Sequence, residues 1–312
     1  MAVLQADVVV VGGGLAGIVT ALELLRAGQR VVLIDRDTPA RFGGLALWAF
    51  GGMALVGTDL QAKMGIPDTP ERALNDWMRF GELDPQDEWP QQWARYYVEH
   101  SRSEVYDWLK SEGIKFMPAV NWVERGLNGD GNSLPRYHVV WGTSRELVRC
   151  LVAALHRANR NARLTLLHRH QVTDLEHTDG KVSGVTAIDE QSGETVRCSA
   201  PVVVLAMGGI NGSHAECRAN WPQDRPIPAR LLNGAHPLAD GKLHHLAAEQ
   251  LGAQITHAGE MWNYAAGFPN PYPLFADHGL STIPCKSALW LNLRGERIGP
   301  QPLVTGFDTH WL

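Results

Sequence analysis

Three glycines near the N-terminus, in the spacing Gly12-x-Gly14-x-x-Gly17, constrain the fold more than any other feature of the sequence. The apolar, β-branched run at 7–11 precedes them and predicts a buried parallel strand. Residues 15–27 follow with apolar side chains at helical spacing and predict a helix. A strand, a tight glycine turn and a helix form the unit that lets main chain approach a pyrophosphate.

The segment after this helix strengthens the prediction of a dinucleotide site. Residues 30–35 form a second apolar run that completes a βαβ unit and ends at Asp35. A carboxylate at that position can accept hydrogen bonds from the adenosine ribose hydroxyls. The N–H groups at the start of the helix, at Leu15 and Ala16, offer partial positive charge to the phosphates. The alternative, a glycine turn with only a packing role, does not explain why a carboxylate, Asp35, ends the second strand.

Two further features favour FAD over NAD(P), since both cofactors use such a unit. The first is a pair of diglycines just past the second strand, which bracket a segment of small and apolar residues. Main chain without Cβ atoms can lie against a large flat ligand there. The four glycines are Gly43, Gly44, Gly51 and Gly52. An NAD(P)-dependent dehydrogenase with one dinucleotide-binding domain remains the alternative.

The second feature is an apolar strand at 202–206 that returns to the sheet and ends in Gly208-Gly209. Residues 164–206 as a whole alternate with period two. Turn signals at Asp179-Gly180 and Ser192-Gly193 predict a small antiparallel meander within them.

Other segments predict helices within 70–112, over 143–160 and over 240–251. The first of these carries a broad apolar stripe, which we interpret as packing. Its residues are Trp89, Trp93, Tyr96, Tyr97, Val105, Trp108 and Leu109. From about residue 256 the sequence becomes Pro-rich and irregular, which indicates a second domain.

Composition argues against several other classes of protein. The net charge is −5 and the basic residues are scattered, so we expect no nucleic-acid partner. We find neither a signal peptide nor an apolar stretch that predicts a membrane span. Four dispersed cysteines without a CxxC pair indicate a reducing compartment, and we expect a cytoplasmic location. The histidines His236, His244 and His245 lack the spacing of a ligand frame, so we predict no metal.

These motifs together resemble the fumarate reductase and succinate dehydrogenase flavoprotein superfamily, particularly its bacterial FAD-binding dehydrogenases related to 3-ketosteroid Δ1-dehydrogenase. The resemblance is carried by VVVVGGGLAGIVTALELLRAG with RVVLIDRD, FGGLALWAFGGM, VVVLAMGGING and GAHPLADGKLHHLAAEQLGA. It implies an α/β fold with a Rossmann-like FAD-binding domain of glutathione-reductase type, 1–255, which includes the antiparallel meander. Residues 256–312 would begin an inserted α+β substrate cap domain.

The resemblance also assigns residues to the cofactor. In relatives the paired-glycine loop borders the flavin and the pyrophosphate, and the return strand ends in A-T-G-G, from which Met207 departs. Because this loop has no histidine, we predict that FAD is bound non-covalently. The predicted cofactor-binding residues are Gly12, Gly14, Leu15, Ala16, Gly17, Asp35, Arg36, Gly43, Gly44, Ala46, Gly51, Gly52, Val172, Ala206, Gly208, Gly209, Asp240 and Gly241.

The chemistry implied by the resemblance is hydride transfer between flavin N5 and a substrate C–C bond next to a carbonyl, with a steroid-like small molecule as substrate. We predict Tyr264 as the catalytic residue, with His257 and Tyr272 as alternatives. The segment at 292–298 resembles one that precedes a proton-donating arginine in fumarate reductases, but no arginine follows here. The electron acceptor is not identified. Relatives continue beyond Leu312, so a truncated, non-catalytic flavoprotein is the alternative.

Overall fold

The computed structural model describes residues 2–122, 131–263, 267–281 and 291–297. Within these ranges the fold is mixed α/β, with a four-stranded parallel sheet, a four-stranded sheet of mixed strand direction and two sheets of two strands each. Among the described helices, none is both long enough and apolar enough to cross a membrane.

The chain divides by its packing into two compact units. The first unit is built from residues 1–49, 148–262 and 269–280, and the second from residues 50–147, 263–268 and 281–312. The predicted FAD-binding domain, 1–255, therefore includes residues of both units. The assignment of 256–312 to a substrate cap stays a prediction.

The secondary structure of the described residues is as follows. The strands are β1 (Ala2–Gln5), β2 (Val8–Val11), β3 (Val31–Asp35), β4 (Gly52–Ala54), β5 (Tyr137–Val139), β6 (Leu164–His168), β7 (His170–Thr178), β8 (Lys181–Asp189), β9 (Thr195–Ser199), β10 (Val202–Leu205), β11 (Gly267–Pro269) and β12 (Gly279–Ser281). The α-helices are α1 (Leu15–Arg26), α2 (Asp59–Lys63), α3 (Pro70–Phe80), α4 (Glu88–His100), α5 (Trp108–Ser111), α6 (Thr143–Ala158), α7 (His214–Ala219) and α8 (Lys242–Leu251). A π-helical segment, Ser101–Asp107, joins α4 to α5, and two 3-10 turns lie at Pro39–Arg41 and Gly44–Leu47.

The parallel sheet has the strand order β10-β2-β3-β6 and lies in the first unit. All four residues of β2 are buried, as is typical of a parallel strand covered on both faces. On one face α1 contributes the buried side chains of Ile18 and Leu22 to the core. The predicted βαβ unit is therefore confirmed, and Val8 pairs in register with Val31 of β3 and Val202 of β10.

The second sheet of the first unit has the order β1-β9-β8-β7. Its antiparallel strands β7, β8 and β9 confirm the predicted meander, and Asp179 and Gly180 both take positive φ in the first hairpin turn. Two details differ from the prediction. Residues 164–168 pair in parallel with β3 rather than joining the meander, and residues 2–5 add a parallel strand to β9. Both pairings join segments distant in sequence, which local periodicity does not reveal.

The helices predicted within 70–112 are present, but the packing interpretation of their aromatic stripe is only partly right. Leu109 is buried, whereas Trp89, Trp93 and Tyr96 are exposed by 67%, 67% and 47%. These three residues lie on one face of α4, while its buried side chain Val98 lies on the opposite face. The packing interpretation is therefore wrong for these three residues.

A buried ion-pair network holds the second unit together around Arg136. Its guanidinium donates to both carboxylate oxygens of Asp68, at 2.8 and 2.9 Å, and to Oδ2 of Asp76 at 2.6 Å. All three side chains are at most 5% exposed. Burial alone would raise the pKa of Asp76, but hydrogen bonds from Ser133 and Arg136 outweigh it and the pKa lies below its ordinary value.

We expect the substitution Asp76→Asn to destabilise the protein by about 3–5 kcal/mol, because it leaves buried charge on Arg136 only partly compensated. Urea unfolding at neutral pH measures the change. Since the pKa of Asp76 is lowered in the fold, the contribution of its charge to the free energy of unfolding is present above about pH 3.9. This contribution is lost as the pH falls further.

The matched control is Glu99→Gln, which breaks an exposed pair between α4 residues Arg95 and Glu99. It should change stability by less than about 1 kcal/mol. Equal losses for the two variants would show that the Arg136 network is not a principal source of stability.

Candidate cofactor-binding site

The glycine turn after β2 is held by close main-chain contacts. Gly12 has φ +106°, and its N–H donates to the carbonyl of Ile34 at 2.8 Å. A Cβ atom on Gly12 would overlap the carbonyl oxygen of Ala206, and one on Gly17 would overlap the carbonyl oxygen of Gly12. The turn, the helix α1 and the return strand β10 therefore meet at distances that only glycine permits.

The main chain at Gly14 faces open space. It is the N-cap residue of α1, and no heavy atom lies within 4 Å of the position that its Cβ would take. Gly14 also pairs with Gly43 in an isolated parallel bridge, and Gly44 lies against the main chain of Gly14. Two of the predicted segments, the turn and the first diglycine, thus come together around an open main-chain surface.

Asp35 ends β3 beside this turn. Its Oδ2 accepts from the N–H of Gly13 at 2.5 Å and its Oδ1 accepts from the N–H of Asp37 at 2.8 Å. Burial raises the pKa of this carboxyl above its ordinary value, although both hydrogen bonds oppose the shift. Each oxygen keeps a lone pair, so the carboxylate can still accept hydrogen bonds from a ligand.

His168 lies opposite Asp35 in the register of β3 and β6, and its ring packs edge-on against Phe42. Burial lowers the pKa of His168, which favours the neutral ring. Its buried Nδ1 has no hydrogen-bond partner among the described residues. A buried polar atom without a partner needs an explanation, and a ligand bound beside Asp35 would supply one.

Arg36, another predicted cofactor-binding residue, is engaged by two carboxylates. It donates to Glu190 at 2.9 to 3.2 Å, and its Nη1 lies 2.9 Å from Oδ2 of Asp240. Asp240 was itself predicted to contact the cofactor, and Gly241 follows it as the N-cap of α8 with φ +78°. The structure therefore joins Arg36 and Asp240 to each other.

Beside the paired-glycine loop, contacts join three residues that the sequence analysis did not assign to the cofactor, Trp48, His236 and Asp37. Trp48 stacks on the ring of His236, with centroids 5.2 Å apart. Nε2 of His236 lies 3.0 Å from Oδ2 of the buried Asp37, and its Nδ1 accepts from the N–H of Leu238. Sequence spacing gave no signal for the contact between Asp37 and His236, because the two residues lie 199 positions apart in the chain.

The other predicted residues have varied surroundings. Ala46 lies in the 3-10 turn after Gly43, and the N–H of Ala206 donates to Val11 at 2.7 Å. Val172 lies in β7, opposite Ala187, and packs against the core of the first unit.

Gly208 has φ +80° with open space around it, and Gly209 follows it in the chain. Gly51 and Gly52 belong to the second unit, where Gly51 lies against Ser144 and Gly52 against Tyr137. Their roles toward a cofactor stay predictions.

The predicted catalytic residue, Tyr264, lies outside the described residues. Of its two alternatives, Tyr272 is 84% exposed and His257 is also exposed. In the described part of the chain, no group of three or more His, Cys, Asp or Glu side chains could hold a metal ion. His245 is instead paired with Glu216 at 3.0 Å.

These features fit FAD. The first-turn N–H groups of α1, at Leu15 and Ala16, have no partner within the helix and stand beside the open surface at Gly14. The carboxylate of Asp35 lies at the end of the adjoining strand, where a ribose would be held.

Comparison with known proteins identifies the family. The family described as FAD binding domain matches residues 7–305, so the chain belongs to the FAD binding domain family. This confirms the prediction of FAD and leaves the NAD(P)-dependent alternative without support. The predicted resemblance to flavoprotein dehydrogenases is confirmed as well.

Two relatives of this chain are described as steroid dehydrogenases. The chain is 40% identical over 324 residues to a KsdD-like steroid dehydrogenase of Mycobacterium tuberculosis, covering 98% of this chain and 56% of the relative. It is 37% identical to a KsdD-like steroid dehydrogenase of Mycolicibacterium smegmatis, covering 98% of this chain and 58% of that protein. The chain thus spans little more than half the length of these relatives.

A solved structure shows the same fold. The 3-ketosteroid-delta4-(5alpha)-dehydrogenase from Rhodococcus jostii RHA1, in complex with 4-androstene-3,17-dione, superposes with a TM-score of 0.65 at 26% identity. The match covers 80% of this chain and 55% of that one. A flavocytochrome c3 fumarate reductase is similar too, with a TM-score of 0.64 at 25% identity over 79% of this chain and 40% of that one.

The glycine turn makes a prediction that separates packing from cofactor binding. Gly14→Ala should lower the stability of the cofactor-free protein by less than about 1 kcal/mol, because the new methyl group enters open space at an N-cap. The same methyl group would lie where the pyrophosphate approaches, so we expect FAD affinity to fall by about tenfold or more.

Gly17→Ala is the matched comparison, because its methyl group would strike main chain and destabilise the cofactor-free protein itself. Urea unfolding without FAD and fluorescence titration with FAD measure both effects. If Gly14→Ala bound FAD as tightly as the unmodified protein, the pyrophosphate would not lie at this turn.

Proposed function

We propose that this chain is the cofactor-holding part of an FAD-dependent oxidoreductase that oxidises or reduces a C–C bond next to a carbonyl, with a steroid-like small molecule as substrate. The observation that carries the proposal is the assembly of Gly12, Gly14, Asp35, Gly43 and Ala206 around one open main-chain surface. The steroid dehydrogenases among the relatives support the substrate class.

For the fold we propose a Rossmann-like FAD-binding domain of glutathione-reductase type. The support is the parallel sheet with its crossover helix α1, together with the meander β7–β9, which lies between β6 and β10 in the chain. Residues 256–312 are proposed to begin the substrate cap. We also propose a cytoplasmic location, and the electron acceptor is left unassigned.

The residues of the first unit have distinct proposed roles toward the cofactor. Asp35 accepts hydrogen bonds from the adenosine ribose, and the N–H groups of Leu15 and Ala16 neutralise the pyrophosphate. Gly43 and Gly44 let main chain lie against the flavin half, which we propose is held non-covalently. Bound FAD supplies the hydride acceptor or donor, at flavin N5.

The proton that accompanies hydride transfer needs a separate group. We propose Tyr264 for this role, either as the base that removes a proton beside the substrate carbonyl or as the donor that polarises that carbonyl. The support is its residue type and its position in the segment that enters the proposed cap.

Asp35 should make FAD affinity pH-dependent. Its charged form accepts the ribose hydrogen bonds, and burial raises its pKa, so affinity should fall on acidification at a higher pH than the ordinary aspartate value of about 3.9 would require. Asp35→Asn should weaken binding by about 10–100-fold at neutral pH and flatten this pH profile.

The control for this measurement is Asp179→Asn, in the exposed hairpin between β7 and β8, where asparagine tolerates the positive φ. It should reproduce the affinity and the pH profile of the unmodified protein. A pH profile unchanged in Asp35→Asn would remove Asp35 from the proposed site.

The proposed activity is tested on protein reconstituted with FAD. We expect near-equimolar flavin absorbance, and bleaching of that absorbance when 4-androstene-3,17-dione is added without oxygen. Tyr264→Phe should slow the bleaching without changing FAD content. Protein that takes up no FAD would contradict the cofactor assignment. Bound flavin that the steroid neither bleaches nor, after chemical reduction of the flavin, reoxidises would favour a non-catalytic flavoprotein over the proposed oxidoreductase.

A further inference from the structure

The paired-glycine loop is held differently at its two ends in the first unit, to which residues 43–49 belong. Its start is fixed by main chain, because Gly43 is buried and bridged to Gly14. Trp48, the largest side chain of this stretch, lies near the other end and is 38% exposed. The position of the loop beyond its first diglycine therefore depends on the aromatic contacts of Trp48.

Trp48 stacks on the imidazole of His236. The two rings lie within 25° of parallel, and their centroids are 5.2 Å apart. Phe275 also approaches the indole, but at 6.0 Å and with an angle of 50° between the rings, which gives less overlap. Stacking of this kind stabilises one relative position of two rings. His236 is thus the partner against which the end of the loop is positioned.

The imidazole of His236 is itself fixed by a buried carboxylate. Its Nδ1 accepts from the N–H of Leu238 at 3.3 Å, so in the neutral ring Nε2 carries the proton and donates to Oδ2 of Asp37 at 3.0 Å. The side chains of His236 and Asp37 are only 11% and 8% exposed. Hydrogen bonds on both ring nitrogens hold the imidazole in the plane on which Trp48 stacks.

The main chain at His236 is constrained as well. The N–H of Ala239 donates to the carbonyl of His236 at 3.0 Å, which closes a turn through Pro237. Gly212 lies against this turn, and a Cβ atom there would overlap the carbonyl oxygen of His236. Both the side chain and the main chain of this histidine are therefore held, as a residue that supports a ligand-binding loop requires.

We infer that His236 is a positioning residue for the cofactor: held by Asp37, it fixes Trp48 and thereby keeps the paired-glycine loop in place at the flavin half of FAD. The main-chain N–H of the same aspartate donates to Oδ1 of Asp35, the carboxylate proposed to hold the ribose. Asp37 therefore supports both halves of the proposed site. This inference rests on the proposed function, because that function places the loop at the flavin.

A double-mutant cycle tests the inference with two ligands, FAD and ADP, titrated calorimetrically into the cofactor-free protein. His236→Ala should weaken FAD binding by about tenfold, because the loop loses a stacked pair and the hydrogen bond that fixes it. It should change ADP affinity by less than about twofold, because ADP lacks the flavin half. In a Trp48→Ala background, His236→Ala should have no further effect on FAD. Trp48→Phe keeps an aromatic ring and should retain most of the affinity.

The position of the loop can also be measured without cofactor, by hydrogen exchange. The main-chain N–H groups of Trp48 and Ala49 donate to carbonyl groups of the 3-10 turn at 3.1 and 3.3 Å. We expect both amides to exchange faster in His236→Ala than in the unmodified protein. His236→Phe keeps a ring for stacking but loses the pair with Asp37, so its exchange rates should be intermediate.

The matched control is His100→Ala on α4, because this histidine makes the same two kinds of contact elsewhere. Its ring packs against Tyr96, with centroids 4.3 Å apart, and its Nδ1 lies 3.3 Å from Glu104. The control should change neither FAD affinity nor the exchange of the loop amides. If His236→Ala does not fold, His236→Gln takes its place in the cycle, because it keeps a donor for Asp37 but has no ring.

Two results would overturn the inference. One is an equal loss of ADP and FAD affinity in the His236 variant, which would indicate general destabilisation. The other is a loss of FAD affinity that is undiminished in the Trp48→Ala background, which would show that His236 does not act through the loop. Absence of FAD binding to the unmodified protein would instead overturn the proposed function.

Discussion

The contact on which the first unit depends is the approach of the glycine turn to its neighbours. The main chain of Gly12 lies against Ala206 and against the first turn of α1, where the position of Gly17 leaves no room for a side chain. This contact fixes the ends of β2 and β10 and the start of α1 at one point. The open surface at Gly14, the carboxylate of Asp35 and the bridge to Gly43 are all positioned by it.

The charged groups around this contact show how burial is balanced by partners. Asp35 is buried at the cost of a raised pKa, and two main-chain N–H groups limit that cost. Asp76, in the second unit, is also buried, but Ser133 and Arg136 both donate hydrogen bonds to it and its pKa is lowered instead. The difference follows from the partners: two main-chain N–H groups compensate the desolvation of Asp35 only in part, whereas the hydrogen bonds from Ser133 and the cation of Arg136 together exceed that of Asp76. A carboxylate that only main-chain N–H groups hold, as in Asp35, retains the capacity to accept hydrogen bonds from a ligand.

Sequence reasoning succeeded where a structural requirement is local. Strand β2, helix α1 and the hairpin at Asp179 follow from periodicity and from residues that permit positive φ, and all were predicted. It failed where the determining contact is distant in sequence. The pairing of β1 with β9, the stacking of Trp48 on His236 and the exposure of Trp89 depend on tertiary structure alone. No local pattern distinguishes these outcomes from their alternatives.

The same distinction applies within the candidate site. Glycine spacing identified the turn at which we propose that the pyrophosphate is bound, because backbone geometry demands glycine there whatever the surroundings are. Arg36 was also named from sequence, but its partners were not: its guanidinium is held by the carboxylates of Glu190 and Asp240. Those carboxylates lie 154 and 204 positions away. The class of cofactor can therefore be inferred from a local motif, whereas the charged partners of Arg36 are brought together only in the folded chain.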